Sequence, residues 1–582
     1  MKKLLITICL ILTISVASAQ FENPKIARIK AVAVTSGENP TGVVINITVI
    51  VTEGNGKVFV STTPYTEIDM QGSAQLAALT ACDLLGIDFT KYDFFYVIEA
   101  DAPIVGGPSA GAVMTIATIA ALKGLKLNPY VYMSGMIYPD GFIGPVGGLN
   151  YKLEAAAKNG GKIFLIPKGQ RIIYVEEKKV QRIGFISIIT TEIKKMDLVD
   201  YGKKLGVDVY EVETINDALK FYTGYEIKKP TPTFNITEYS AILRKLAEGM
   251  KKSIEELGIR NERIDELIDE AKEYYNKGLY YTATSRYFEA KILMRYELYK
   301  NEIKTAKDFD KEVERISKEI TEMKKYLKNA KIGIESFQLF AAAQERIGEA
   351  ERLLEKAKTA RSNEDALYYL AYAKERVESA KLWLSLLPEI KEDYELNPQE
   401  VKKRAEFYFS QARSIFVYAS SLSGNEYLLN KAYQSIELSR TLLKDELYAG
   451  ASVVAVDAIV QSSLAIELKY GSIDVKDSEQ SAKLAISEVE NSVIPILPAA
   501  YYEFAKTSND RVLKVMYYKL SERLAKLLGV MSKLSSEKKL VYTEFKPPSV
   551  TETRKIEVTP GFEITIGFIA IVITYYMKRR NT

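Results

Sequence analysis

Histidine is missing from all 582 residues. That absence removes every Ser–His–Asp and Cys–His catalytic arrangement and every zinc site built on imidazole. Cysteine is almost as scarce, with Cys9 and Cys82 the only two. Cys9 lies in an N-terminal apolar leader, so Cys82 alone is expected in the mature chain, without a disulfide partner. No G-x-x-x-x-G-K-S/T phosphate loop occurs, and no other motif asks for a cofactor. Nor is there a strong excess of one charge. The formal net charge is +4, but Lys2, Lys3, Lys578, Arg579 and Arg580 lie at the extreme ends, leaving residues 4–577 at about −1. No basic stripe argues for a nucleic-acid partner. A nucleophile in this chain would have to be activated by Lys, Asp/Glu or an N-terminal amine.

The ends supply what the composition hides. Residues 1–19 have a basic start, an apolar run from Leu4 to Val16 and an Ala17-Ser18-Ala19 cleavage pattern, the signature of a secretory signal peptide. An uncleaved anchor is the alternative. Residues 562–577 form a second apolar run, with Tyr575 and Tyr576 at its end and the basic tail 578–582 behind it. A short transmembrane helix with a cytoplasmic tail fits this pattern, and a buried terminal helix is the alternative. Together the ends predict a single-pass protein of the cell membrane whose body lies outside the cytoplasm.

Between them the chain divides in two. Residues 25–228 mix strand and helix patterns and predict an α+β domain. The β-branched runs either side of Gly54-Asn55-Gly56 read as a hairpin. A helix over "DMQGSAQLAALTACDLLGI", a strand over "FFYVIEA" and an apolar helix ending at Gly124 follow. Two extended runs flank Pro139-Asp140-Gly141, then come a helix, a Gly-Gly stop and a strand in "NYKLEAAAKNGGKIFLIPKG". Residues 229–237 carry two prolines and the sequon Asn235-Ile236-Thr237 and read as a linker; a second sequon at Asn46 falls on a predicted strand. From 238 to 535 the apolar residues recur at i, i+3, i+4 and i+7, as in Ile264, Leu267, Ile268 and Ala271. A large all-helical domain of antiparallel hairpins is expected, with only faint tetratricopeptide-like spacing. Its many tyrosines read as core packing or as the walls of a peptide groove. Residues 536–561 read as a stalk.

Two short stretches carry candidate chemistry. In "IVGGPSAGAV" the Gly106-Gly107-Pro108 turn delivers Ser109 to the start of a helix, where the N–H groups of Ser109 and Ala110 could stabilise an oxyanion. A serine there equally reads as a plain helix cap. In "GPVGGLNYKLEAA", Lys152 falls in the first turn of another helix, the wrong end of the dipole for a cation. Burial among Val146, Gly147, Gly148, Leu149 and Ala155 would favour its neutral amine; exposure to solvent is the ordinary alternative.

These stretches, with "VYMSGMIYPDGFIG", the Ile166-Pro167-Lys168 strand and "GVDVYEVETINDALKF", resemble the proteolytic domain of Lon-type serine proteases, loosely over 25–228 and closely over 104–222. The resemblance implies Ser109 as nucleophile, Lys152 as general base and Ser134 as the small hydroxyl residue that orients the lysine, where threonine is usual. It also implies protein or peptide substrates and a homo-oligomer. Three departures stand out. Gly106 occupies a position where the family often has an acid; Glu99 and Asp101 are the nearby carboxylates, read either as electrostatic substitutes or, more simply, as solvated residues at a strand end. A stretch is added between Lys168 and Gly206. No ATPase module precedes the domain. With its terminal signals the chain resembles an exported, archaeal-type Lon peptidase working without ATP. The alternatives are a non-catalytic surface scaffold and a protease that cuts only its own stalk.

Overall fold

The computed structural model describes residues 24–35, 40–63, 68–100, 107–183, 186–228, 237–470, 473–542 and 545–548. The leader, residues 229–236 of the linker, Asp101, Gly106, the far part of the stalk and the C-terminal apolar run lie outside these.

The first unit is built on β1 (Lys25–Val34), β2 (Gly42–Glu53), β3 (Val58–Thr63) and β4 (Tyr92–Ala100). In β2, alternate residues Ile45, Ile47, Val49 and Val51 are buried, as the two-residue period of a half-covered sheet requires. The expected β2–β3 hairpin does not form. The sheet order is β1-β2-β4-β3: β4 pairs antiparallel with β2 and parallel with β3, and so separates the two runs. The glycine turn is nevertheless there. Asp93 Oδ1 accepts the N–H groups of Asn55 and Lys57, holding that turn against β4 instead of zipping its flanks together.

Helix α1 (Ile68–Leu85) connects β3 to β4, and α2 (Gly111–Lys123) follows β4. Every residue of α2 from Gly111 to Leu122 is buried, because it packs on β1, β2 and α1 at once; an apolar residue on every face is what a central helix needs. It stops at Gly124, whose φ of 67° forms the left-handed cap. Short strands β5 (Val131–Met133), β6 (Met136–Ile137) and β7 (Ile143–Gly144) precede α3 (Leu149–Lys158) and β8 (Ile163–Pro167). The stretch added after Lys168 is an antiparallel hairpin, β9 (Ile172–Ile183) with β10 (Ile186–Asp197), followed by α4 (Leu198–Leu205). Strand β11 (Asp208–Val212) closes a parallel sheet of order β11-β8-β5, and α5 (Ile215–Thr223) ends the unit behind a Thr214–Asp217 capping box. The α+β expectation holds. Cys82 is buried and free, and burial pushes its thiol far above the ordinary range.

The second unit contains twelve helices among the described residues: α6 (Thr237–Leu257), α7 (Glu262–Asn276), α8 (Tyr280–Glu302), α9 (Ala306–Asn329), α10 (Phe337–Lys358), α11 (Asn363–Leu384), α12 (Pro398–Ser421), α13 (Glu426–Lys444), α14 (Tyr448–Tyr470), α15 (Val475–Val489), α16 (Ile496–Thr507) and α17 (Arg511–Met531). It is not purely helical. Strand β12 (Asp393–Leu396) pairs antiparallel with β13 (Ser535–Leu540). The beginning of the expected stalk is therefore part of this fold. Tyr542 donates to Asp393 Oδ2 at 2.9 Å, and Phe545 is buried in the helical core. Among the described residues one helix, α14, is long and apolar enough to cross a membrane; nearly all of it is buried inside the helical unit.

The two units are welded together. Tyr418 and Ala419 of α12 and Ile466 of α14 sit in the hydrophobic core of the first unit. Around them Arg404 grips Asp88 through both guanidinium ends, Arg523 pairs with Asp83 and donates to Pro139 O, and Lys519 bridges Asp140 and Glu467.

Candidate active site

The nucleophile candidate sits where a distorted backbone turns into α2. Gly107 has φ 95° and ψ 149°, a region essentially closed to residues with a Cβ. A 3₁₀ turn (Pro108–Ala110) follows and α2 begins at Gly111. Neither start carries a side-chain cap hydrogen bond, so Ser109 is not the helix cap it could have been. Its hydroxyl is not used to satisfy the helix.

The turn is held from outside. Asp69 Oδ1, in the first turn of α1, accepts the Gly107 N–H at 3.1 Å. Ser73, one turn along, donates to Pro108 O at 3.3 Å and lies 3.5 Å from the Tyr418 hydroxyl. The carboxylate that meets this turn is thus Asp69, about forty residues upstream of the serine. Glu99, the described one of the two nearby acids, is exposed near the end of β4, in keeping with its reading as a solvated strand-end residue. Ser109 O accepts the Gly135 N–H at 3.0 Å, and Gly135 O in turn accepts from Ala112 N at 3.1 Å, stitching the turn to the segment between β5 and β6.

Lys152 comes from the other side. Gly148, with φ 67°, is the residue before α3, and a Cβ there would meet Val34 Cγ2 at 2.7 Å. Gln170 clamps the approach to this helix: its amide accepts from Val146 N at 2.9 Å and donates to Val146 O at 2.8 Å. Lys152 N then donates to Gly148 O at 3.1 Å, in the first turn. The side chain runs inward, and Lys152 is only 4 % exposed. Its Nζ donates to Ser134 Oγ at 3.1 Å, and Ser134, with no exposed surface, reaches Ser109 O at 3.5 Å. Burial lowers the Lys152 pKa to about 8, and among the described residues no carboxylate pairs with it.

The structure therefore brings Lys152 and Ser134 into direct contact and ties Ser134 to the backbone of Ser109. Among the described residues no hydrogen bond joins the Ser109 hydroxyl to the Lys152 amine. The sequence reading missed Asp69, Ser73, Gln170 and Tyr418. Gln170 carries a signal, as a polar residue directly after the Pro167-Lys168-Gly169 turn; the others give no local signal. Histidine aside, no group of three or more Cys, Asp or Glu residues among the described residues could hold a metal ion.

Residues 15–192 match the family model of the Lon protease C-terminal proteolytic domain. A Lon-type proteolytic domain occupies the N-terminal part of the chain. The Lon protease of Vibrio parahaemolyticus is 41% identical over 106 residues, covering 17% of this chain and 13% of that protein. Lon protease 2 of Syntrophobacter fumaroxidans is 32% identical over 130 residues, covering 22% and 16%. The Lon protease of Buchnera aphidicola is 43% identical over 105 residues, covering 17% and 13%. The chain thus spans less than a fifth of the length of these relatives, and the likeness is confined to the proteolytic domain. The helical unit lies beyond the matched residues.

Proposed function

We propose that the chain is a serine endopeptidase in which Ser109 and Lys152 form the working pair. The observation that carries this reading is the lysine itself: buried, without an acidic partner among the described residues, and lowered to about 8. Such an amine is neutral in roughly a tenth of molecules at pH 7 and about half at pH 8, and can accept a proton, which an exposed lysine near ~10.4 cannot do to a useful degree.

In this mechanism a peptide carbonyl carbon is placed against Ser109 Oγ. The amine moves from its resting bond on Ser134 and takes the hydroxyl proton as the oxygen attacks, a contact of the kind that tightens only when substrate is bound. The oxyanion is stabilised by N–H groups at the start of α2. Gly111 N is engaged with Pro108 O and Ala112 N with Gly135 O, which leaves Ser109 and Ala110 as the donors. The ammonium returns its proton to the leaving amine, and an acyl-enzyme remains. Water then attacks the ester, giving its proton to Lys152 and on to Ser109 as the acid departs. Ser134 keeps the amine in place between these transfers.

Substrates are extended peptide or protein segments. The absence of a phosphate loop in these 582 residues supports action without ATP. The apolar runs at both ends support a location at the cell membrane, with the catalytic body outside the cytoplasm. Homo-oligomerisation is proposed on the likeness to Lon proteases alone.

Labelling with a fluorophosphonate probe, in the absence of ATP, tests the pair. Wild type is expected to form a covalent adduct, and Ser109→Ala and Lys152→Ala are expected not to. A folded wild type that does not label would favour a scaffold that keeps the fold without the chemistry.

A further inference from the structure

A large cleft lies within the helical unit, away from Ser109 and Lys152. It is a cavity of about 610 Å³, within the size range of small-molecule sites. Helices α8, α10, α11, α13, α14, α16 and α17 all contribute to its walls. Tyr368, Lys431 and Gln434 line it and are exposed, so it opens to solvent.

Its walls are of two kinds. On one, charges are closed on each other. Arg376 Nε lies 2.8 Å from Glu349 Oε2, its guanidinium stacks over the Phe288 and Tyr372 rings, and Arg352 flanks the same carboxylate at 3.9 Å. Arg346 donates to Ala342 O and Ser379 Oγ and lies over Trp383. Arg346 is committed in this way and Arg376 is held by its ion pair and the rings, whereas Arg352 Nε is buried without a hydrogen-bond partner.

The other wall has acceptors to spare. Ser435 and Gln461 both donate to Asp457 Oδ2, each at 2.7 Å, which leaves Oδ1 to the cavity. Gln461 is only 7 % exposed, and its Oε1 has no hydrogen-bond partner. A buried acceptor left unpaired costs roughly 1–3 kcal/mol unless something occupies the space. Glu345 also lines this space, and its nearest cation is Arg346 at 3.7 Å. Tyr281, Tyr501, Phe504 and Tyr517 bring aromatic rings to the same cavity, with Tyr501 and Tyr517 stacked at 6.2 Å.

Carboxylates, an orphan amide oxygen and aromatic faces together are the chemistry that receives an organic cation. We infer that this cavity binds a primary ammonium or guanidinium group, seated against Asp457, Gln461 and Glu345 and covered by the tyrosines. Burial raises Glu345 to about 7 and Asp457 to about 6, against the opposing pull of Arg346 and Arg376 on the first and Lys431 on the second, with Glu349 adding to both. A bound cation would relieve that burden.

Such a group comes either from a free small molecule or from a Lys or Arg side chain of another protein. Isothermal titration calorimetry of the full-length protein separates the two, using spermidine, argininamide and a terminally blocked Gly-Gly-Lys-Gly-Gly peptide, with succinate and glucose as controls. Saturable binding of at least one cationic probe is expected, at one site per chain. Asp457→Asn and Glu345→Gln are each expected to weaken it at least about tenfold, about 1.4 kcal/mol, with the circular dichroism unchanged. Gln461→Leu, which removes no charge, is expected to weaken it measurably and serves if an acidic variant does not fold. Binding by spermidine or argininamide assigns a small molecule; binding by the peptide alone assigns a protein side chain. Failure of every cationic probe, equal binding by the variants, or equal binding of succinate overturns the inference. Because turnover is not read, the Ser109→Ala chain can be titrated as well, and the outcome is separate from that of the peptidase reading.

Discussion

Lys152 and Lys519 are the same residue type at nearly the same depth, yet burial has opposite consequences for them. Lys152 is 4 % exposed, rests on a neutral hydroxyl, and has its pKa lowered to about 8. Lys519 is 9 % exposed and sits between Asp140 and Glu467; burial would lower it, but the two carboxylates more than offset that and raise it. Depth alone does not make a base. A base needs depth without a partner, whereas depth with partners makes a rivet. Among the described residues no acid of the first unit meets Lys152, whereas Lys519 receives one carboxylate from each unit, Asp140 from the first and Glu467 from its own, joining the two units at the turn before β7.

The contrast can be broken from the catalytic side first. Lys152→Met is expected to lower the rate of acyl-enzyme formation by about 10²–10⁴-fold, the usual weight of a general base, measured by probe labelling. The same variant should be more stable than wild type at neutral pH. A lysine depressed from 10.5 to about 8 is charged in both folded and unfolded chains below pH 8, so its burden of about 3 kcal/mol is fully present there. Between pH 8 and 10.5 the folded chain sheds the proton first and the burden fades. The gain from methionine should therefore shrink across that interval, as read from denaturant midpoints at several pH values.

Lys519→Met should do the reverse. It leaves Asp140 and Glu467 buried without their cation, which costs about 3–5 kcal/mol, and denaturant midpoints should fall accordingly. Ser134→Ala removes the hydroxyl on which the amine rests; a loss of about ten- to a hundredfold in labelling rate is expected, with Ser134→Thr restoring most of it. Tyr418→Phe deletes only a 3.5 Å contact to Ser73, so a change of about 0.5 kcal/mol or less in stability is expected. A large effect there would show that the helical unit governs the nucleophile turn through this one hydroxyl.

The parts legible in the sequence were those encoded within a few residues. The Gly-Gly-Pro turn before Ser109, the Gly147-Gly148 start before Lys152 and the Gly124 stop each carry their geometry locally. The hairpin reading at Gly54-Asn55-Gly56 failed because that turn is held by Asp93, nearly forty residues on, while β4 takes the place between the flanking strands. Local pattern contains no information about such an insertion. Most of β13 falls within the stretch 536–561, whose mixed charges and Pro547-Pro548 read as a stalk; only its pairing with β12 makes it a strand. Asp69, Ser73 and Tyr418 could not be assigned to the nucleophile turn before the fold placed α1 and α12 beside it. Whether the Ser109 hydroxyl is spent on capping the helix likewise needed coordinates.

The most direct test of the central claim is the pH dependence of the second-order labelling rate of wild type by a fluorophosphonate. The account predicts a rise to a plateau with an apparent pKa near 8, the value burial gives Lys152, and loss of that step in Lys152→Met. A rate that keeps climbing through pH 10, or an unchanged profile in the variant, would contradict it.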